Sequence, residues 1–204
     1  AELWAALYSP SEGAAPGRTW TKQISHTLQW LLAFMMMQGH GPLRRIFRLA
    51  AYLNKGQRVK VITDASPFGM GAVLVIDGVP VAWFAIPIQQ QDVEVLGVQP
   101  GDCKGQQCWE SLCCLIAVRI WRTRWASERL LLTVRTDNAT ALTMLAKLKA
   151  SSEPLRVIAR EMALGFAMGV FEPDITEHTP GVQNTIADVL SRRSDPQYQS
   201  SWSV

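Results

Sequence analysis

Three short apolar segments follow one another between residues 57 and 85, and they constrain the fold more than any other feature of the 204-residue chain. Residues 57–64, 70–76 and 79–85 have the β-branched, partly alternating composition of strands. Only Asp77-Gly78 separates the last two, and Asp-Gly between apolar runs is the strongest short-range signal for a hairpin. The sequence therefore predicts that a domain begins here with an antiparallel meander of three strands.

From residue 87 onward the pattern changes to strands separated by helices. A polar loop at 87–106 leads into an amphipathic helix whose apolar residues recur every three or four positions: Trp109, Leu112, Cys113, Ile116 and Ile120. Further segments predict a strand at 130–136, helices at 139–149 and 153–168, a strand near 173–178 and a helix at 184–193. Strands linked through helices form a sheet with helices on its faces. We therefore expect an α/β fold with a mixed five-stranded sheet, its first three strands antiparallel.

The first 56 residues have a mainly helical pattern, with helices predicted at 21–37 and 43–53. The apolar run LQWLLAFMMM at 28–37 is shorter than the roughly 18 residues that a membrane span requires, so a buried amphipathic helix is expected there. The polar tail at 194–204 is expected to be flexible. The chain thus divides into a helical extension at 1–56, a folded domain at 57–193 and a tail.

Charge is distributed unevenly along the chain. Residues 1–56 carry a net charge of +4, whereas the remainder carries −1. A basic segment ahead of a nearly neutral domain suits contact with a polyanion such as a nucleic acid. An ordinary solvated helix face at 41–53 explains the same charges, so both interpretations stay open.

The four cysteines, Cys103, Cys108, Cys113 and Cys114, lack the spacing of a zinc site. Two of them fall within an apolar helical stretch, which favours buried free thiols in a reducing compartment. The chain begins AELWAAL, without an initiator methionine or a secretion signal, as a segment of a longer polypeptide would. We expect an intracellular protein of the cytoplasm or nucleus, neither secreted nor bound to a membrane.

Four acidic residues occupy the ends of strands or the beginnings of helices: Asp64, Glu110, Asp137 and Asp188. Each has a simple structural explanation, because acidic residues open turns, cap helices and favour the first helical turn. Strand ends and the helices that follow them nevertheless meet at one edge of an α/β sheet. Carboxylates that converge there repel one another unless cations are present, and Mg²⁺ prefers oxygen ligands. The pattern therefore predicts a divalent-metal site.

The segments TDASPFGMGAVL, WESLCCLIAVRIW, VRTDNATALTML and EHTPGVQNTIADVLSR resemble the four signature blocks of ribonuclease H, over about residues 57–193. The closest likeness is to the ribonuclease H domain that follows the reverse transcriptase of gypsy-like and DIRS-like retrotransposons. The last block is the most specific, because His178, Asn184 and Asp188 recur at the family's spacing. The resemblance implies an RNase H-like fold.

The same resemblance implies an endoribonuclease that cuts the RNA strand of RNA–DNA hybrids with two Mg²⁺ ions, Mn²⁺ being an alternative, and with no small-molecule cofactor. Asp64, Glu110, Asp137 and Asp188 would be the metal ligands, with Asp64 bridging both ions. His178 would transfer a proton or assist product departure. Small residues after Asp64 would leave room for the nucleic-acid backbone. Ser66 and Asn138 are the candidate contacts to RNA 2′-hydroxyls, and Asn184 is expected to cap the last helix.

Residues 1–56 resemble the thumb or connection segment between polymerase and nuclease, which implies the polymerase part of the same polyprotein as a partner. No polymerase activity is predicted, since the chain has no YxDD-like sequence. Two other classes stay open. One is a non-catalytic RNase H-like domain that binds nucleic acid or a protein partner. The other is a nuclease or transposase of the same superfold, because a fold does not fix a substrate.

Overall fold

A computed structural model describes residues 21–38, 57–102, 105–124, 131–168 and 175–199. The described residues fall into two compact units, and residues 21–38 belong to the first and residues 57–199 to the second. The helix predicted at 43–53 lies outside the described residues.

The described part of the first unit is one helix, α1 (Thr21–Met35), as the sequence predicts for 21–37. Trp30 and Phe34 stack one turn apart on it, with ring centroids 5.4 Å from each other. The predicted burial of its apolar run does not hold throughout, because Leu28, Leu32 and Met35 are largely exposed. Within the described ranges of the chain, no helix combines the length and apolar character that crossing a membrane would require.

The second unit is built on a five-stranded mixed sheet, and the predicted fold class is confirmed. Its strands are β1 (Arg58–Ala65), β2 (Gly69–Ile76), β3 (Val79–Pro87), β4 (Leu131–Thr136) and β5 (Ile175–His178). Their order across the sheet is β3-β2-β1-β4-β5. The first three pair antiparallel, and β4 and β5 run parallel to β1. The β2–β3 hairpin turns on Asp77 and Gly78, whose φ angles of 48° and 87° match the Asp-Gly signal.

Six α-helices are described in this unit: α2 (Gln90–Leu96), α3 (Gln106–Ile120), α4 (Ala139–Lys147), α5 (Glu153–Met168), α6 (Thr185–Ser191) and α7 (Pro196–Gln199). Helix α3 packs against β1 and β2 and is itself contacted by α4 and α5, whereas α6 contacts β1, β2 and β3. Side chains of β1 alternate between these two layers, as the period of a strand requires. Val61 and Thr63 point toward α3, and Asp64 points toward α6.

Two helices were not expected from the sequence. Helix α2 lies in the segment 87–106, which was predicted to be a loop because of its polar run of glutamines. The segment nevertheless contains the residues that begin and end a helix. Gln89 and Asp92 form a capping box at its start, and Gly97 ends it in the left-handed conformation with φ of 66°. Val93 and Leu96 are buried, which anchors this short helix. Helix α7 falls within the tail that was expected to be flexible.

The core lies between the sheet and α3, and Trp109, Cys113 and Val118 of that helix are fully buried. The predicted apolar stripe is correct for Trp109 and Cys113 but wrong for Ile120, which is 55% exposed at the end of the helix. Helix α3 is buried on more than one side, because β1, α4 and α5 all contact it. A single stripe of apolar residues could therefore not describe its buried surface.

Glycines on β2 allow α6 to approach the sheet closely. A Cβ atom on Gly71 would lie 2.5 Å from the Ser191 nitrogen and 2.7 Å from the Ala187 oxygen, and one on Gly69 would lie 2.7 Å from the Ser191 oxygen. The structure thus gives these two small residues a different role from the expected one of leaving room for nucleic acid. Because Gly71 is the register partner of Asp64, the close approach brings α6 directly beside Asp64.

Candidate metal centre

Three of the predicted carboxylates meet at one edge of the sheet. Asp64, Glu110 and Asp137 each offer an oxygen, and these oxygens lie within 4.8 Å of one another. Asp64 is near the end of β1, and Asp137 directly follows β4. The two strands are adjacent and parallel, with Ile62 opposite Arg135, so their side chains two residues later emerge side by side. The neighbouring strand ends thus account for two of the three acids.

Helix α3 supplies the third acid because its thiols fix it against β1. The Cys113 thiol donates to the Asp64 carbonyl oxygen at 3.3 Å, and the Cys114 thiol is hydrogen-bonded to the Thr63 hydroxyl at 3.3 Å. These contacts place the preceding helical turn, with Glu110, over the end of β1. The Thr136 hydroxyl donates to Glu110 Oε2 at 3.4 Å.

Gln106 ties the start of α3 to the same sheet edge. Its amide donates to Glu110 Oε1 at 3.1 Å and also to the carbonyl oxygen of Ala65. Glu110 is therefore held by neighbours on its own helix and on β4. The carboxylate is oriented by the fold before any ligand binds.

Burial makes the negative charges of this cluster unfavourable. Asp64 is 5% exposed, and burial raises its pKa to about 6, with smaller contributions from the charges of Asp137 and Asp188. Burial also raises the pKa of Glu110 well above its usual range, followed by the charges of Asp64 and Asp137. Carboxylates crowded in this way form a site that a divalent cation would stabilise.

Asp188, the fourth predicted ligand, does not join the three. It lies on α6, and its Oδ1 accepts a hydrogen bond from Nε of Arg192 at 2.7 Å, one helical turn further along. The two side chains are 36% and 48% exposed, respectively. Asp188 is close enough for its charge to act on Asp64, but its carboxylate is paired with a cation of its own chain.

Two further side chains of the last sequence block hold Asp64. The Ser191 hydroxyl is within 2.5 Å of Asp64 Oδ2, and the Asn184 amide donates to Asp64 Oδ1 at 3.4 Å and to the Thr63 carbonyl oxygen at 3.0 Å. Asn184 stands at the first position before α6, yet its side chain makes no capping hydrogen bond. Asn184 therefore occupies the predicted N-cap position of the last helix, but its side chain bonds to β1 instead of capping the helix.

Sequence reasoning gave Ser191 no role, although it belongs to the quoted block. The available signal was its place in ADVLSR, three residues after Asp188 on a helix, which puts both residues on one face. What the sequence does not reveal is that this face covers β1.

His178 ends β5 beside the cluster. Its Nε2 lies 2.9 Å from the carbonyl oxygen of Asp137, and its side chain is exposed. Nearby, a Cβ atom on Gly181 would lie 3.2 Å from Asp137 Oδ2, so that loop passes close to the carboxylate. The histidine is thus next to the acids, in contact with the backbone of one of them.

The two candidate substrate contacts have different surroundings. Ser66 is buried, and its hydroxyl donates to the Ser191 carbonyl oxygen at 2.8 Å while accepting from the Gly69 nitrogen at 3.0 Å. These bonds give Ser66 a structural position in the loop between β1 and β2. Asn138 caps α4, where its Oδ1 accepts from the nitrogens of Thr140 and Ala141 at 3.0 Å.

Three of the four cysteines are described, and all three are buried free thiols, as predicted. Burial raises the pKa of Cys108 and of Cys114 to about 12. Cys103 lies outside the described residues. The thiols of α3 therefore act as uncharged packing and hydrogen-bonding groups.

Comparison with solved structures supports the fold. No family model matches the sequence, and no curated protein matches it. Among solved structures, LC11-RNase H1 in complex with an RNA/DNA hybrid is similar with a TM-score of 0.55 at 14% identity, over 70% of this chain and 99% of that one. That enzyme was isolated from compost by a metagenomic approach.

Two other solved structures extend the comparison. RNase H1 from the archaeon Halobacterium salinarum has a TM-score of 0.47 at 18% identity, over 67% of this chain and 96% of that one. A foamy viral protease–reverse transcriptase in complex with double-stranded DNA has a TM-score of 0.33 at 14% identity, over 85% of this chain and 32% of that one. The mixed sheet, its strand order and the similarity to LC11-RNase H1 together show that the second unit has an RNase H-like fold.

Proposed function

We propose that this chain is a divalent-metal-dependent ribonuclease H, which hydrolyses the RNA strand of RNA–DNA hybrids. The observation that carries the proposal is the meeting of Asp64, Glu110 and Asp137 within 4.8 Å at the edge of an RNase H-like sheet. Three carboxylates offer only hard oxygen ligands, which suit Mg²⁺ or Mn²⁺ better than softer metals. The four matching sequence blocks support the same function.

The surroundings of the cluster fit a cation. Asp64 and Glu110 are almost fully buried, and burial raises the pKa of each, so the metal-free site holds negative charge that its neighbours leave largely uncompensated. Asp64, Glu110 and Asp137 would hold the ions. Asp188 would become the fourth ligand once its ion pair with Arg192 opens. Bound divalent ions lower the pKa of water and stabilise charge on a leaving oxygen in phosphodiester hydrolysis.

Two other residues have proposed roles beside the metal ligands. His178 is exposed next to Asp137, and a titratable side chain there suits proton transfer or product departure. Asn138 uses its Oδ1 to cap α4, which leaves its amide nitrogen to contact a 2′-hydroxyl of RNA. The retroelement context, with a polymerase in the same polyprotein, rests on the sequence resemblance alone.

The test is a cleavage assay on four substrates of one sequence: RNA–DNA hybrid, duplex DNA, duplex RNA and single-stranded RNA. The proposal predicts Mg²⁺-dependent cutting of the RNA in the hybrid, with no cutting in EDTA. Asp137→Asn keeps the shape of the side chain but loses the charge that holds a cation, and it should reduce the rate at least tenfold. Asp77→Asn makes the same chemical change in the exposed β2–β3 hairpin and should cut normally.

Two results would contradict the proposal. Hybrid binding without cutting, in either Mg²⁺ or Mn²⁺, would favour the non-catalytic RNase H-like domain. Cutting of duplex DNA at a rate equal to that of the hybrid would favour another nuclease of the same superfold.

A further inference from the structure

Arg192 and Asp188 form an ion pair at the end of α6 that bears on how the metal centre fills. Nε of Arg192 lies 2.7 Å from Oδ1 of Asp188, four residues earlier. An Asp–Arg pair with this spacing is common on helix surfaces, where it stabilises the helix slightly. This pair differs from such a pair because its acid is the one carboxylate of the predicted four that stands apart from the cluster.

The charges of both partners act on the cluster. The carboxylate of Asp188 contributes to raising the pKa of Asp64, and the guanidinium of Arg192 contributes to lowering it. In return, the charge of Asp64 contributes to raising the pKa of Arg192, after the larger effect of Asp188. Among the described residues whose charges shift the pKa of Asp64, Arg192 is the one cation.

We propose that Arg192 competes with a divalent ion for the carboxylate of Asp188. In the metal-free protein the guanidinium holds Asp188, and loading of the second ion requires this pair to open. The inference rests on the proposed function, since it assumes that the acidic cluster binds divalent ions. Under this inference, Arg192 raises the concentration of divalent ion that is needed to fill the second position.

The size of the effect follows from the exposure of the pair. Asp188 and Arg192 are 36% and 48% exposed, so solvent screens their attraction, and an i,i+4 pair of this kind is favoured over its open form by a factor of about two. An ion that binds only the open form meets a carboxylate that is free for about a third of the time. Removal of Arg192 should tighten the second binding event about threefold.

The neighbouring Arg193 provides a matched control. Its guanidinium carbon lies 5.9 Å from the centroid of the Trp83 ring, on β3, rather than at Asp188. Arg192→Met and Arg193→Met remove the same charge and keep similar aliphatic length and helix propensity. A general gain in cation affinity from lost positive charge would appear in both variants, whereas the release of Asp188 would appear only in Arg192→Met.

The experiment is a titration with Mn²⁺, in which electron paramagnetic resonance of the free ion counts the ions bound per chain. Wild type, both methionine variants, Asp188→Asn and the double variant Asp188→Asn/Arg192→Met are compared without substrate. We expect the weaker binding event to tighten about threefold in Arg192→Met and less than 1.5-fold in Arg193→Met. In the Asp188→Asn background, Arg192→Met should have no effect beyond that of Arg193→Met.

Equal changes in the two methionine variants, or the same tightening with Asp188 already replaced, would overturn the inference. Failure of the proposed function gives a different result. If wild type binds no Mn²⁺, both the proposed function and the competition are wrong. If wild type binds two ions and cuts hybrid but Arg192→Met behaves as Arg193→Met does, only the competition is wrong.

Discussion

Replacing Asp64 with asparagine should stabilise the metal-free protein, although the same change removes a proposed metal ligand. Asp64 is 5% exposed, and burial raises its pKa from 3.8 to about 6. Between these values the folded protein binds a proton that the unfolded chain does not. The free energy of unfolding therefore falls as the pH rises through this window, and above pH 6 the wild type carries the whole penalty.

The magnitude follows from the size of the shift. A shift of about two pH units corresponds to about 3 kcal/mol, at 1.4 kcal/mol for each unit. Because Asp64 is almost fully buried, solvent screening reduces this figure little. Asp64→Asn should thus be more stable than wild type by up to about 3 kcal/mol at pH 8, and the difference should shrink toward zero near pH 4.

The new amide fits the hydrogen bonds that surround Asp64. Its oxygen can accept from the Asn184 amide, and its nitrogen can donate to Oγ of Ser191. Ser191 Oγ also lies 2.9 Å from the Asp188 carbonyl oxygen, so in the variant its single proton can turn to that carbonyl while its oxygen accepts from the new amide. No buried polar group needs to lose its partner, and the change of charge should dominate the result.

The assay is urea denaturation of both proteins in EDTA at pH values from 4 to 8. Asp77→Asn serves as the control, because it removes one acidic charge from the exposed β2–β3 hairpin. The reasoning is refuted if Asp64→Asn is less stable than wild type at pH 8. It is also refuted if the difference between the two proteins does not depend on pH, or if Asp77→Asn shows the same dependence.

Three further predictions follow from the proposed site. Millimolar Mg²⁺ should raise the melting temperature of wild type more than that of Asp64→Asn, because binding to the folded state alone stabilises it; equal shifts in both would place the ions elsewhere. His178→Ala should slow steady-state cleavage by about 100-fold or less, with unchanged Mg²⁺ dependence, since general acid–base groups contribute on this scale; a fully inactive variant would contradict this role. A chain of residues 57–204 should bind hybrid more weakly and with a flatter salt dependence, yet keep its saturated rate, because the removed segment carries +4; circular dichroism checks its folding, and unchanged binding would remove that segment from substrate capture.

Local patterns explain why the sheet and three acids could be predicted. The order of the elements follows from β-branched strand segments, the hairpin at Asp77-Gly78 and the helices between the later strands. The same local signals place most element boundaries within a few residues. In such a sheet Asp64 and Asp137 follow from the ends of adjacent parallel strands. Their convergence with Glu110 needed only the further expectation that the helix between them begins at the same edge.

The remaining features depend on contacts between distant parts of the chain. Ser191 and Asn184 reach Asp64 across more than 100 residues, so no local pattern assigns them that role. Gly71 appears in the sequence as a small residue beside an acid, and only the docking of α6 shows why a side chain is excluded there. The pairing of Asp188 with Arg192 is different, because their i,i+4 spacing on a predicted helix is a local signal for an ion pair. From the sequence, Asp188 was assigned to the metal, and that signal was not used.

The chemical ends of the cut RNA test most directly whether the carboxylate cluster hydrolyses RNA through activated water. Attack by water on phosphorus, with departure of the 3′ oxygen, leaves a 5′-phosphate on one product and a 3′-hydroxyl on the other. Mass spectrometry of products from a hybrid cut in Mg²⁺ should find these ends for wild type and no product for Asp64→Asn prepared in parallel. Products ending in a 2′,3′-cyclic phosphate and a 5′-hydroxyl would mean that the RNA's own 2′-hydroxyl attacked, and would contradict the proposed role of the cluster.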